Sequence, residues 1–149
     1  MILLFYRSVN NPSGTAMRVV LFKRFWTAED TQEYPRALFI FGDNNLGYGV
    51  GGQAVIRRCP NALGIPTKKL PSLAENAFYT DVELADNKTH IMQAVERIKK
   101  ALQSGKYDTL IFPKDGLGTG LAELSKRAPK TNEFLQEAIR DLQKFAREI

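Results

Sequence analysis

The chain has 149 residues, of which 44% are hydrophobic and 25% are charged. This composition is typical of one globular domain and excludes a disordered chain. The longest apolar run, residues 1–6, is too short to cross a membrane or to form a signal-peptide core. One cysteine and one histidine allow no internal disulfide and do not supply the usual ligands of a metal site. We therefore expect a cytoplasmic domain with no metal and no cofactor.

The charge balance is basic, with 21 Lys and Arg against 16 Asp and Glu, which gives a net charge of +5. A basic domain can bind nucleic acid or a small phosphorylated ligand, although many small basic proteins do neither. The net charge alone does not distinguish between binding of nucleic acid, binding of a phosphorylated ligand, and neither.

The N-terminal part contains two apolar stretches, residues 2–6 and 19–22, separated by the turn-forming sequence Asn-Asn-Pro-Ser-Gly at 10–14. A second methionine, Met17, follows this break. We expect residues 1–16 to be an appendage of uncertain status and residues 17–149 to form a single domain.

The next elements alternate between helix and strand. Thr27 and Asp30 have the spacing of a capping box, which predicts a short helix. Residues 37–41 and 62–65 are apolar runs bounded by turn residues, which indicates buried strands. Residues 53–58, between them, are predicted to be helical.

The second half of the chain repeats this alternation. Residues 86–103 have apolar side chains at helical spacing, with Asp86 or Asn87 as the expected N-cap. Residues 109–112 form a third predicted buried strand, and residues 134–146 a last amphipathic helix. The alternation predicts one α/β domain with a mostly parallel sheet.

Two of the predicted strands run directly into glycine-rich loops, at residues 42–52 and 116–121. Eight of the eleven glycines lie in these loops. Ligands of open α/β sheets bind outside the carboxyl ends of the strands. Glycines there let backbone N–H groups approach a phosphate, and a following helix would add its positive N-terminus. The two loops together predict an anion-binding cleft.

Several side chains in or near these loops are candidates for chemistry. Asp43 and Asp115 could bind a ribose hydroxyl or orient a water molecule, whereas Asp43 and Asn44 could instead cap a turn. Glycines 47, 49 and 52 formally match a dinucleotide fingerprint, and Lys68 with Lys69 could contact the 2′-phosphate of NADP or simply be solvated. An NADP-dependent enzyme is therefore one alternative.

The two loops resemble those of the macrodomain family. The residues that carry the resemblance are Gly-Asp-Asn-Asn at 42–45, the glycines at 47–52, and the late strand that passes through Pro113 into Gly-Leu-Gly-Thr-Gly-Leu at 116–121. The closest branch is the terminal ADP-ribose protein glycohydrolase type, on the strength of Ile-Pro-Thr-Lys-Lys at 65–69 and Gly-Thr-Gly-Leu at 118–121. The resemblance covers about residues 37–145.

This resemblance implies a three-layer α/β/α fold and ADP-ribose as the ligand. It places Asn45 at the distal ribose, residues 49–52 at the ribose and diphosphate, and residues 118–120 at the diphosphate. The family's adenine-reading Gly-Asp pair has no counterpart in residues 18–26. The Asp that follows the phosphate-loop Leu in the glycohydrolase branch is Ala122 here, with Glu123 one place on, and the lysine that this branch uses as nucleophile has no matching segment. The resemblance therefore supports binding better than catalysis.

The leading hypothesis is a protein that binds ADP-ribose or a related nucleotide, and that could hydrolyse ADP-ribose from a modified macromolecule. The candidate catalytic residues are Asp43 and Asp115; the candidate ligand-binding residues are Gly42, Asn44, Asn45, Gly49, Gly51, Gly52, Gln53, Lys68, Gly116, Gly118, Thr119, Gly120 and Leu121. The main alternative is a non-enzymatic nucleic-acid-binding protein of a phage or mobile element. That alternative is based on the net charge and on Arg57, Arg58, Lys68 and Lys69.

Overall fold

The structure, a computed structural model, describes residues 3–7 and 17–149. Five strands form one sheet in the order β1-β2-β5-β3-β4: β1 (Leu3–Arg7), β2 (Arg18–Phe22), β3 (Ala37–Asn44), β4 (Ala62–Lys68) and β5 (Thr109–Pro113). The four strands β2 to β5 are mutually parallel, and β1 is antiparallel to β2 at the edge. The predicted α/β fold with a mostly parallel sheet is therefore confirmed.

Helices cover both faces of the sheet and give the three layers that the sequence predicted. The α-helices are α1 (Ala28–Glu33), α2 (Leu84–Gln103), α3 (Leu124–Arg127) and α4 (Pro129–Glu148), and short 3₁₀ helices lie at Gly52–Ile56, Glu75–Ala77 and Asp81–Glu83. The apolar faces of α2 and α4 share one core cluster with one face of the sheet. Trp26 and the 3₁₀ helix Gly52–Ile56 belong to the cluster on the opposite face.

Strand β3 shows why its sequence is a continuous apolar run. Leu38 and Ile40 lie in the core cluster under α2 and α4, whereas Phe39 and Phe41 lie in the cluster on the other face. Because neighbouring side chains of a strand point to opposite faces, a strand covered on both sides requires apolar residues at every position.

Two strands extend further than the sequence predicted. Strand β3 continues past residue 41 to Asn44, and β4 continues past residue 65 to Lys68. Strand β4 tolerates Pro66 because it pairs only with β3 and is the last strand of the sheet order. The extension places Gly42 and Asp43 in the sheet rather than in a loop.

The helices were predicted less accurately at their ends. The segment expected to be a helix at 53–58 is a 3₁₀ helix at Gly52–Ile56, which is too short to supply the helix dipole that the sequence suggested. Helix α2 begins at Leu84, so neither Asp86 nor Asn87 is its N-cap. The Asn87 side chain is instead buried and donates to the Thr80 carbonyl and to Thr131 Oγ1.

The start of α1 agrees with the predicted capping box. The carboxylate of Asp30 accepts a hydrogen bond of 2.8 Å from the backbone N–H of Thr27. The prediction that residues 1–16 are an appendage falls largely on residues 1–2 and 8–16, which lie outside the described residues. No helix in the described part of the chain has the length and apolar character needed to cross a membrane.

Candidate functional site

A cleft of about 640 Å³ lies at the carboxyl ends of the parallel strands. Its lining residues come from the ends of four of them: Phe25 after β2, residues 42–44 and 48–54 with Arg57 at and after β3, Thr67, Lys68 and Pro71 at the end of β4, and residues of the loop after β5. The sheet order β2-β5-β3-β4 brings both glycine-rich loops to the same edge, side by side. The cavity therefore lies at the edge of the sheet where the two glycine-rich loops meet.

The first glycine-rich loop is shaped by Asn44. Its side-chain oxygen accepts hydrogen bonds of 3.0 Å from the backbone N–H groups of Leu46 and Gly47, and its amide nitrogen donates to the Tyr48 carbonyl at 2.9 Å. Asn44 thus closes the turn after β3, which is the capping alternative raised from the sequence. All three of these side-chain hydrogen bonds are to the backbone of the loop, although the residue also lines the cleft.

Asp43 and Arg57 form an ion pair across this loop, with 14% and 15% of their side chains exposed. The same carboxylate oxygen of Asp43 accepts the backbone N–H of Asn44 at 2.7 Å. Arg57 also donates to the Gly49 carbonyl at 2.7 Å and to the Tyr48 carbonyl at 3.2 Å. Arg57 therefore ties the glycine-rich loop to the end of β3.

Gly64 makes room for the Asp43 side chain. A β-carbon at Gly64 would lie 2.7 Å from both Cβ and Oδ2 of Asp43. One carboxylate oxygen of Asp43 is thus occupied by Arg57 and Asn44, and the other lies against the neighbouring strand.

Gln53 connects the two glycine-rich loops. Its side-chain oxygen accepts the backbone N–H of Gly42 at 2.8 Å, and its side-chain nitrogen donates to the Gly116 carbonyl at 3.1 Å. Its own carbonyl accepts the indole N–H of Trp26 at 2.9 Å. Both polar ends of the side chain are therefore used to hold the end of β3 and the loop after β5 at a fixed separation.

The second glycine-rich loop is held by packing against α3. Gly118 has a φ of +80°, and a β-carbon there would lie 2.9 Å from Cδ2 of Leu124. Thr119 donates to the carbonyl of Asp115 at 2.9 Å. Asp115 and Thr119 are exposed and are not lining residues of the cleft.

Backbone N–H groups are the donors that both loops leave unused. Among the described residues, those of Gly49, Val50 and Gly51 in the first loop have no protein acceptor. The same holds for the N–H groups of Gly118, Gly120 and Leu121 in the second loop. All six residues line the cleft. Two sets of unpaired donors from two loops therefore belong to one cavity.

Lys68 is the cation at the β4 end of the cleft. Its ammonium donates to the Ser72 carbonyl at 2.6 Å and lies 4.6 Å from the centre of the Phe78 ring. The guanidinium of Arg127 lies 3.7 Å from the same ring. Burial, and then repulsion from Arg127, lower the pKa of Lys68. Among the described residues no carboxylate pairs with Lys68, so its charge is available to a ligand.

Asn45 lies behind the cleft rather than in its lining. Its side-chain oxygen accepts a short hydrogen bond from the hydroxyl of Tyr79, which is fully buried. Burial, and then the negative charges of Asp43 and Glu83, raise the pKa of Tyr79, so this hydroxyl keeps its proton and acts as a donor. The sequence analysis missed Tyr79, because no pattern in its segment links it to a loop 34 residues earlier.

The structure brings most of the predicted site residues together. Those that line the cleft are Gly42, Asp43, Asn44, Gly49, Gly51, Gly52, Gln53, Lys68, Gly118, Gly120 and Leu121. Those outside the lining are Asn45, Gly116, Thr119 and Asp115. Phe25, Tyr48 and Thr67 also line the cleft and were not predicted. Phe25 lies three residues after the buried strand β2, and this position in the sequence could have identified it as a candidate.

The four cations cited for nucleic-acid binding have different environments. Arg57 pairs with Asp43, and Lys69 pairs with Glu83 at 2.9 Å. Arg58 is exposed, and Lys68 faces the cleft. Two of the four charges are therefore already neutralised by carboxylates. Within the described residues, no group of three or more His, Cys, Asp and Glu side chains could hold a metal ion.

Comparisons with curated proteins and with solved structures gave no match. A family model described as "Family of unknown function (DUF7831)" matches residues 21–138. This match extends from β2 into α4 and includes every residue of the cleft. The chain therefore belongs to the DUF7831 family.

Proposed function

We propose that this protein binds a nucleotide diphosphate, such as ADP-ribose, in the cleft between its two glycine-rich loops. The observation that carries the proposal is that residues 49–51, 118, 120 and 121, whose backbone N–H groups have no protein acceptor among the described residues, line one cavity. Backbone N–H groups presented by glycine-rich loops bind phosphates, because they can approach the oxygens closely and supply several donors at once.

The charges in the cleft favour an anion. The one carboxylate among the lining side chains belongs to Asp43, and Arg57 neutralises it. The ammonium of Lys68 has no carboxylate partner among the described residues, and it stands at the β4 end of the cleft. A diphosphate would therefore meet donors and a cation without an opposing negative charge.

The length of the cleft fits a ligand with a group on each side of a diphosphate. Phe25 follows β2 and Lys68 is the last residue of β4, and these strands are separated by two others in the sheet. Three inter-strand spacings of about 4.8 Å give a span of about 14 Å. The glycine-rich loops occupy the middle of this span, because they follow β5 and β3.

The environment of Asp43 favours a structural role over one in hydrolysis. A carboxylate that orients water needs a free oxygen facing the substrate. Arg57 and Asn44 occupy one oxygen of Asp43, and the other lies close to Gly64. Asp115 does not line the cleft. We therefore propose binding as the function of the cleft and assign no catalytic residue.

Calorimetric titration of the protein with ADP-ribose tests the proposal, with NADP and a short DNA duplex as controls. We expect micromolar binding of ADP-ribose, which corresponds to about 8 kcal/mol. Absence of heat with ADP-ribose would contradict the proposal. Binding of the duplex alone, with an affinity that falls steeply as salt rises, would favour the nucleic-acid alternative instead.

A Gly51→Val variant makes the test specific to the cleft. Gly51 has a φ of −81°, which other residues adopt freely, and a β-carbon there would meet no atom within 4 Å. The fold should therefore tolerate the valine, whereas its side chain would occupy the cleft. We expect ADP-ribose affinity to fall at least tenfold, by about 1.4 kcal/mol or more. The matched control is Ala85→Val on the exposed side of α2, which should bind normally.

A further inference from the structure

Phe25 is the most exposed aromatic side chain at the cleft. It is 85% exposed, whereas the next residue, Trp26, is 5% exposed and packs in the core. Leu121 from the second glycine-rich loop also lines the cleft and is 68% exposed. Two large apolar side chains from different loops of the cavity are thus mostly exposed. Nothing in the packing of the fold requires them there.

The side chains of Arg24 and Trp26, on either side of Phe25, form hydrogen bonds within the fold. Arg24 donates to both carboxylate oxygens of Asp30, at 2.7 and 3.0 Å. Asp30 also accepts the backbone N–H of Thr27, and Trp26 donates its indole N–H to a carbonyl. This end of the cleft therefore offers apolar surface and no side-chain amide or carboxylate that could read the edge of a base.

We propose that Phe25, with Leu121, is a stacking platform for the nucleobase of the bound nucleotide, and that this platform does not distinguish one base from another. The inference rests on the proposed function, because the diphosphate in the glycine-rich loops would place the base. Stacking on an aromatic ring is available to every base, since each has a π-face, whereas selection of one base requires hydrogen bonds to its edge.

The position of the platform agrees with this assignment. Phe25 follows β2 and the loop with Gly118 and Gly120 follows β5, and these two strands are neighbours. The platform therefore follows the strand next to the one that leads into these proposed diphosphate donors, and the two strands are about 5 Å apart. Lys68 is at the opposite end of the cleft and remains available to the other end of the ligand.

Calorimetric titration with ADP, GDP, CDP and UDP tests the inference, beside ADP-ribose as the reference. We expect the four diphosphates to bind with affinities within about threefold of one another, since no edge is read. Phe25→Ala should weaken all four by about tenfold, and Phe25→Trp should restore or exceed the original affinity. Val82→Ala is the matched control, because Val82 is 95% exposed and lies outside the cleft.

The outcomes separate the inference from the function on which it rests. If ADP bound tenfold or more tightly than the other three, the site would read the base edge and the inference would be wrong, while the proposed function would stand. If the four diphosphates bound equally well and Phe25→Ala did not weaken their binding, Phe25 would not be a stacking platform. If ADP-ribose itself did not bind, the proposed function would fail.

Discussion

The ion pair between Asp43 and Arg57 gives the sharpest test of how the cleft is held together. Replacing Arg57 with methionine leaves the Asp43 carboxylate 14% exposed and without its counter-ion. Removing one partner of a buried pair costs about 3–5 kcal/mol. The lower value applies here because water still reaches both side chains. The Gly49 carbonyl loses its donor too, whereas the Tyr48 carbonyl keeps its hydrogen bond from Asn44, and both carbonyls belong to a loop that water can solvate.

We therefore expect Arg57→Met to lower the free energy of unfolding by about 3 kcal/mol. With a urea m-value of about 2 kcal/mol per molar, the unfolding midpoint should fall by about 1.5 M. The neighbouring residue supplies the control, because Arg58 is exposed and Arg58→Met should change stability by less than about 0.5 kcal/mol.

A double variant shows whether the effect comes from the unpaired charge. Asp43→Asn removes the carboxylate, so the combination with Arg57→Met should lose less stability than the sum of the two single changes. Circular dichroism during urea titration measures all four variants. Equal stability of Arg57→Met and Arg58→Met would refute the reasoning, because the pair would then contribute nothing beyond a surface contact.

Two further predictions concern polar groups outside the cleft lining. Asp81 accepts the backbone N–H groups of Lys130 and Thr131 at the start of α4, so Asp81→Asn should cost about 1 kcal/mol at pH 7. Burial raises the pKa of Asp81, but these hydrogen bonds outweigh it and the pKa is lowered. This stabilisation should therefore be complete above the ordinary carboxyl pKa and should be lost as the pH falls from there through the lowered pKa of the folded state. Urea titrations between pH 7 and pH 3 would measure the loss. Tyr79→Phe should cost about 1–3 kcal/mol because it leaves the Asn45 amide oxygen without its donor, and an unchanged thermal midpoint would contradict this.

The fold was largely predictable because its determinants are local. A strand covered on both faces must be apolar at each position, and an amphipathic helix repeats its apolar residues every three or four positions. These patterns identified β3, β5, α2 and α4. The short 3₁₀ helix at Gly52–Ile56 was misread because its apolar residues also fit one turn of α-helix.

The site was predictable to the level of its loops but not of its side chains. Glycines beyond buried strands marked both loops. The roles of Asp43 and Gln53 depend on partners that only the folded sheet brings close: Arg57 lies 14 residues from Asp43, and Gly116 lies 63 residues from Gln53. Such contacts leave no periodic pattern in the sequence. For this reason, the sequence does not distinguish a carboxylate in an ion pair from a catalytic carboxylate.

The unused donors of the cleft belong to the main chain, and this affects how the site responds to mutation. A scan that truncates side chains to alanine would leave every one of these N–H groups in place. Apart from Phe25, its losses would fall on Arg57, Gln53 and Asn44, which shape the loops, and the groups that contact the diphosphate would go undetected. Substitutions that add atoms at Gly51 and Gly120, where a β-carbon has open space, would instead mark where the ligand lies. For these main-chain donors, the informative mutations are those that enlarge a residue.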